Sequence, residues 1–376
     1  MKQTSPNPNL ECVGTNGTLL WGLTMSERTR RLGVEAGVSI KSPSRLLINA
    51  DFAADGGWIK YVTAHSGLVL TLEGIPAICH ARDTAEAELL RAAMHQGRPL
   101  AVSERGGFDL LAYEDGPTIE NKKLRKRETP FLMRLRPETR KAVERASYFG
   151  AYKGVTDLLT KYLWPEWALW LTRLCARIYI TPNMVTIVGA LFCVAAPFAF
   201  ADGRFWLGMA LGLVFMVLDT VDGKLARCTL TSSAIGNIAD HGLDLVHPPF
   251  WFWFWGTGLA SWVLALSHEG FAWVMAAILG GYVVQRVIEG VFMRQNGMMP
   301  IHVWRRFDSQ FRLITARRNP NMVILFVSML FARPDMGLIA VARWTVMSCA
   351  IHMVRLVQAR LHVKRGGTIT SWLAEA

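Results

Sequence analysis

Four aspartates, a lysine and an arginine stand in one stretch, LDTVDGKLARCTLTSSAIGNIADHGLD, residues 218–244. Asp219 and Asp222 are three residues apart, and Gly236, Asp240 and Asp244 follow one another at intervals of four. On helices these spacings put each set on a single face. Two helices joined by a short polar turn bring both faces together. Gly223, Ala226 and Gly236 carry little or no side chain, which permits close helix contact or room for a flat ligand. Gathered carboxylates repel one another. Hard divalent cations relieve the repulsion, because Mg²⁺ and similar ions prefer carboxylate oxygen and bridge to phosphate. Two such ions stabilise the attacking and leaving oxygens of a displacement at phosphorus. Simple pairing with Lys224 and Arg227 is the plainer reading, but four acids outnumber two bases.

The elements that must position these acids read as membrane helices. The chain has 376 residues, 51% hydrophobic and 19% charged, and the two kinds are segregated. Residues 1 to about 150 are rich in Arg, Glu, Lys and Asp; from Asn183 onward long apolar runs dominate. Six spans are expected, at 183–201, 205–227, 232–266, 270–293, 320–332 and 337–362, the fifth of them short for a crossing. Charges inside such a region usually mark function. The net charge of +12 is distributed for a membrane rather than for nucleic acid. Arg294, Arg305, Arg306, Arg312, Arg317 and Arg318 fill the loop between spans four and five, and Lys364 and Arg365 follow span six. The positive-inside bias then puts that loop, both termini and the aspartate turn in the cytosol. The first residues are polar and lack an apolar signal core. Six cysteines without a C-x-x-C pair argue against a zinc site or disulfide framework.

The expected fold is an α-helical integral membrane domain of six transmembrane helices with an amphipathic interfacial helix, preceded by a small α/β cytosolic domain. The boundaries are 1–120 for the α/β domain, 121–180 for a basic linker and the interfacial helix, 181–365 for the membrane domain and 366–376 for a cytosolic tail.

Asp219-x-x-Asp222-Gly223-x-x-Ala226-Arg227, eight residues, then Gly236-x-x-x-Asp240-x-x-x-Asp244 resembles the signature of the CDP-alcohol phosphotransferases at every fixed position. The resemblance covers residues 150 to 365. It implies transfer of a substituted phosphate from a CDP-linked donor, CDP-diacylglycerol or another CDP-alcohol, to an acceptor alcohol with release of CMP. It further implies Mg²⁺ or Mn²⁺, two ions, on Asp219, Asp222 and Asp240. Asp244 becomes general base and a metal neighbour, and Gly223, Ala226 and Arg227 contact the CDP moiety. Membrane lipids are implied partners, and many members form homodimers. Pro182 and Asn183 suit a helix start; in the family a similar segment lies beside the nucleotide, making Asn183 and Thr186 donor contacts.

Other residues stay open between a structural and a chemical role. His247, three after Asp244, either orients the base or is a helix-end histidine before a break at Pro248-Pro249. Gln285, Arg286 and Glu289 share a face, with an Arg–Glu pair as the simple account. FWFWFW at 250–255 reads as a packing or interface aromatic cluster rather than a stacking platform. Lys153, Asp157 and Lys161 form a stripe, solvated or reaching substrate. Arg312, Arg317 and Arg318 either anchor the loop at lipid phosphate or, as in related enzymes with phosphorylated inositol acceptors, hold the acceptor phosphate. Within the head, LLINADF faintly resembles the metal-binding strand of nucleotidyltransferases, with Asp51 as counterpart. The basic phosphate loop is missing, so a degenerate, non-catalytic relative is expected. Two rival functions remain: an intramembrane prenyltransferase using an isoprenyl diphosphate, which would carry two Asp-rich motifs in separate halves, and a non-catalytic membrane scaffold.

Overall fold

The computed structural model describes residues 9–232 and 234–375, the side chains of 234, 235, 237–241, 244 and 375 excepted. It divides into two compact units. One holds the chain up to Tyr152 with Arg173–Tyr179 and Lys224–Thr231; the other holds Lys153–Thr172, Ile180–Gly223 and the chain from Ser232 onward.

The first unit is α/β. Its strands are β1 (Leu10–Val13), β2 (Arg45–Asn49), β3 (Phe52–Ala54), β4 (Leu68–Leu72), β5 (Ile75–Ala81), β6 (Asp109–Ala112), β7 (Ile119–Asn121), β8 (Lys126–Glu128) and β9 (Leu132–Arg134). Five of them form one mixed sheet in the order β1-β2-β5-β4-β6, with β1–β2 and β4–β6 parallel and the inner pairs antiparallel. Helices α1 (Met25–Ala36), α2 (Gly56–Ala64), α3 (Thr84–Gln96) and α4 (Arg140–Gly150) complete the unit. The unbroken apolar run of β2 follows from cover on both faces. Leu46 and Ile48 pack with Trp58, Ile59 and Val62 of α2, while Leu47 turns to Leu90 and Met94 of α3.

The basic run expected as a linker is folded, because β7 pairs antiparallel with β8. Where a phosphate loop would follow β1, Asn16 closes the turn. Its Nδ2 donates to the carbonyls of Ala50 at 3.1 Å and Leu135 at 3.0 Å.

Helix α5 (Pro165–Arg177) links the two units, burying Trp164, just before it, with Ala168 and Leu169 and exposing Trp167 and Trp170. The second unit is helical: α6 (Pro182–Ala201), most of α7 (Phe205–Cys228), α8 (Ala234–Gly258), α9 (His268–Met275), α10 (Gly281–Gln295), α11 (Arg306–Phe311), α12 (Arg318–Leu330) and α13 (Pro334–Lys364). Among the described residues four helical stretches are long and apolar enough to cross a membrane: α6, α7, α13 and the run His268–Gln295, in which a π-helical turn joins α9 to α10. Six were expected. The fifth expected span is α12, whose 13 residues are short of the ~20 a crossing needs. The third is α8, 25 residues long and ending at Gly258 rather than 266; several of its side chains lie outside the described residues.

The Pro248-Pro249 pair does not break α8. Pro249 cannot bond the Leu245 carbonyl as a helix requires, but the Tyr282 hydroxyl donates to it at 3.0 Å. Membrane helices keep interior prolines when a neighbour re-satisfies the freed group in this way. Of the 250–255 aromatics, Trp251, Phe252 and Trp255 are buried while Phe250 and Trp253 are exposed; the Trp251 and Trp255 indole N–H groups donate to the carbonyls of Cys193 and Pro334.

Candidate functional site

Thr181 accepts from the Met184 amide and Pro182 opens the first turn of α6, which fixes where Thr186 emerges. Its hydroxyl donates to Asp222 Oδ2 at 2.6 Å, with the Pro182 carbonyl, 3.1 Å away, as the alternative acceptor. Asp222 is 4% exposed, and a charge-assisted hydrogen bond of this kind orients a buried carboxylate. Asn183 is exposed, one turn toward the helix start. Of the two residues expected at the donor, Thr186 thus contacts an acid directly.

Asp219 lies one turn before Asp222 on α7. It accepts from Arg318 Nη2 at 2.7 Å. The Arg318 guanidinium also lies 4.9 Å from the Phe215 ring centroid, and its Nε donates to Asn319 Oδ1 at 2.9 Å. Asn319 in turn donates to Asp157 Oδ1 at 3.0 Å. Between the two acids, the Thr220 hydroxyl accepts the Trp164 indole N–H at 3.1 Å. Asp157 therefore belongs to the polar network behind the acids rather than to a solvated stripe. Its carboxyl is held below the usual range: burial opposes the charge, and the Arg312 guanidinium with hydrogen bonds from Thr160 and Asn319 outweighs it.

The three loop arginines therefore serve three different carboxylates. Arg318 reaches Asp219 and Arg312 acts on Asp157, while Arg317 Nη2 donates to Glu289 Oε1 at 2.5 Å. Arg286 completes the Glu289 pairing at 3.2 Å, as its spacing suggested. Glu289 also meets His302 and His352, and these three could hold a metal ion, with ligand atoms within 4.8 Å of one another. Arg317 Nη2, 3.1 Å from His302 Nε2, already supplies a cation between two of them. Burial pushes the His302 imidazole well below its usual range. Sequence spacing gave no sign of this cluster, because its members lie on α10, a loop turn and α13.

Asp240 and Asp244, four apart on α8, have side chains outside the described residues, so their roles stay as the resemblance implies them. Gly223 ends the bundle's share of α7; Ala226 and Arg227 belong to the segment that packs with the α/β unit. His247 lies one turn beyond Leu243 on α8. It packs between the Phe215 and Trp251 rings, at centroid distances of 5.0 and 4.9 Å, with Nδ1 on the Leu243 carbonyl.

Residues 179–356 match the family model described as CDP-alcohol phosphatidyltransferase. Cholinephosphotransferase 1 of Gallus gallus is 36% identical over 128 residues, 31% of this chain and 36% of that protein. Choline/ethanolaminephosphotransferase 1 of Arabidopsis thaliana is 31% identical over 140 residues, 34% of each. Archaetidylinositol phosphate synthase of Pyrococcus horikoshii is 25% identical over 193 residues, 51% of this chain and 89% of that one. The chain thus spans about a third of the length of the Gallus and Arabidopsis proteins.

Proposed function

We propose that the chain, whose residues 179–356 match the CDP-alcohol phosphatidyltransferase family model, is an enzyme of that family that transfers a substituted phosphate from a CDP-alcohol to an acceptor alcohol, releasing CMP, in phospholipid synthesis. The observation that carries this reading is the oriented acid pair on α7, with Thr186 on Asp222 and Arg318 on Asp219. The donor set fits a hard divalent ion. Both acids offer only oxygen, and a cation, the Arg318 guanidinium, already stands at Asp219. Asp219, Asp222, Asp240 and Asp244 would hold Mg²⁺ or Mn²⁺, two ions, which when bound stabilise charge on the diphosphate oxygens.

Thr186 fixes the Asp222 carboxylate for that task. Gly223 and Ala226 leave room for the nucleotide, with Arg227 and Asn183 as its polar contacts. Asp244 takes the proton from the acceptor hydroxyl. The protein crosses the membrane several times, with both termini and the 294–319 loop in the cytosol, and works as a homodimer.

Purified protein incubated with a panel of CDP-alcohols and candidate acceptors should release CMP only with Mg²⁺ or Mn²⁺. Undiminished product in excess chelator would remove the ions from the reading. Thermal stabilisation by an isoprenyl diphosphate with Mg²⁺, and none by CDP, would replace this reaction with prenyl transfer.

A further inference from the structure

Arg318 and Asn319 open α12, and one line of hydrogen bonds runs through them to the acid pair. Arg318 donates Nη2 to Asp219 Oδ2 at 2.7 Å and Nε to Asn319 Oδ1 at 2.9 Å. From its other end Asn319 donates Nδ2 to Asp157 Oδ1 at 3.0 Å and to Thr160 Oγ1 at 3.2 Å. These residues all lie within the helical unit. Asn319 and Asp157 are each 6% exposed. A carboxylate only accepts and a guanidinium only donates, so the amide between them has one satisfied orientation. Reversing it would set oxygen against oxygen and N–H against N–H, leaving buried polar groups unmet.

The far end of the line is anchored. Asp157 Oδ1 accepts the Thr160 amide at 3.0 Å, and Oδ2 accepts the Thr160 hydroxyl at 2.8 Å. The Leu158 amide donates to the Leu313 carbonyl at 2.9 Å, which joins the same turn to the loop before α12. Trp164 is fully buried and donates its indole N–H to Thr220 Oγ1, between the two acids in sequence. Residues 157–164 therefore hold both elements that meet at Asp219: α12 through Asn319, and α7 through Thr220. A free arginine side chain has many rotamers and gives up about 2 kcal/mol of entropy when fixed. Arg318 has little freedom left. It is 13% exposed, stands over the Phe215 ring, and has its Nε taken by Asn319.

We propose that Asn319 is a positioning residue, which holds Arg318 on Asp219 and so sets how strongly a divalent ion must compete for that carboxylate. The ion belongs to the proposed function, on which this part of the inference rests. The coupling of Asn319 to Arg318 is read without any ligand.

The test uses the full chain in detergent. Thermal unfolding of the parent, Asn319→Ala, Arg318→Gln and the double variant makes a cycle that isolates the coupling. Asn319→Ala should lower the midpoint less in the Arg318→Gln background than in the parent. Mn²⁺ binding without nucleotide, followed by loss of the free-ion electron paramagnetic resonance signal, is the second readout. It should be about three- to tenfold tighter in Asn319→Ala than in the parent, the worth of one hydrogen bond. In the double variant it should be no tighter than in Arg318→Gln. A residue that only stabilised the fold would lower the midpoint equally in both backgrounds and leave Mn²⁺ binding unchanged or weaker; either result overturns the proposal. If Asn319→Ala does not fold, Thr160→Val takes its place under the same criteria, since it keeps the shape and removes the hydroxyl between Asn319 and Asp157. A parent that binds Mn²⁺ and shows the coupling, yet neither binds CDP nor releases CMP, defeats the proposed function alone. Additive unfolding losses beside a parent that releases CMP defeat the positioning alone.

Discussion

Arg318 Nη2 and Asp219 Oδ2 are 2.7 Å apart, an ion pair between residues 99 positions distant in sequence. It ties the start of α12 to the acid turn of α7 and puts a guanidinium where the proposed chemistry requires a divalent ion. The two cations compete for one carboxylate. Arg318→Gln should therefore lower the Mg²⁺ concentration needed for half-maximal CDP binding by about tenfold, the scale of one hydrogen bond to a charged group. Arg318→Lys should stay near the parent. Calorimetric titration of CDP at stepped Mg²⁺ checks this, and a higher Mg²⁺ requirement in Arg318→Gln would mean that the arginine supports the ion instead.

Thr186 offers a cleaner test of orientation. Thr186→Val keeps the shape and removes the 2.6 Å bond to Asp222, whereas Thr186→Ser keeps the hydroxyl. Partners that orient metal ligands are worth about 10–100-fold in metal affinity. The valine variant should lose that much Mg²⁺-dependent CDP affinity and the serine variant little. Equal loss in both would show that the methyl packing of Thr186, and not its hydrogen bond, is what matters.

What could be read from the sequence was local. The Asp219/Asp222 spacing and the Pro182-Asn183 helix start are set within one turn, and both are found, in α7 and α6. The Arg286–Glu289 pair was legible for the same reason. Contacts made across the chain were not. Nothing local shows that Arg317 leaves its neighbour Arg318 to join Glu289, or that Tyr282 replaces the amide that Pro249 denies to Leu245. Lys224 looked like a counter-charge for the nearby acids, and nothing local shows that its Nζ also donates to the Ala151 carbonyl and faces the Tyr152 ring. The basic 120–128 run carried the composition of a linker, and only pairing of β7 with β8 makes it a hairpin.

Gly258 shows how tightly the helices of the second unit meet. A Cβ built there would lie 1.8 Å from the Phe200 carbonyl oxygen, which is backbone and cannot rotate away. Gly258→Ala must therefore push α8 from the end of α6, at a cost of at least about 1–3 kcal/mol. Gly290 in α10 has open space at the same test, so Gly290→Ala should be neutral or gain up to about 1 kcal/mol from helix propensity. Thermal unfolding of both variants in one detergent measures the contrast. Equal behaviour would mean that the α6–α8 approach is looser than drawn.

Asp157 gives the fold a pH dependence whose sign follows from its surroundings. Burial disfavours its charge, but Arg312 and the hydrogen bonds from Thr160 and Asn319 prevail and hold the carboxyl below its ordinary value of 3.8. The folded state therefore keeps the carboxylate ionised at pH values where the unfolded chain has taken up a proton. Such a group contributes its full stability above the unfolded value and loses it as pH falls through the folded one. Asp157→Asn removes the charge and turns an amide toward Asn319, costing about 1–3 kcal/mol near neutral pH. The gap between parent and variant should then close as the pH is taken below the ordinary aspartate range. Unfolding midpoints of both proteins across an acid series check this. A gap that stays constant or widens toward acid would show that the Asp157 ionisation does not support the network joining residues 157–160 to Asn319.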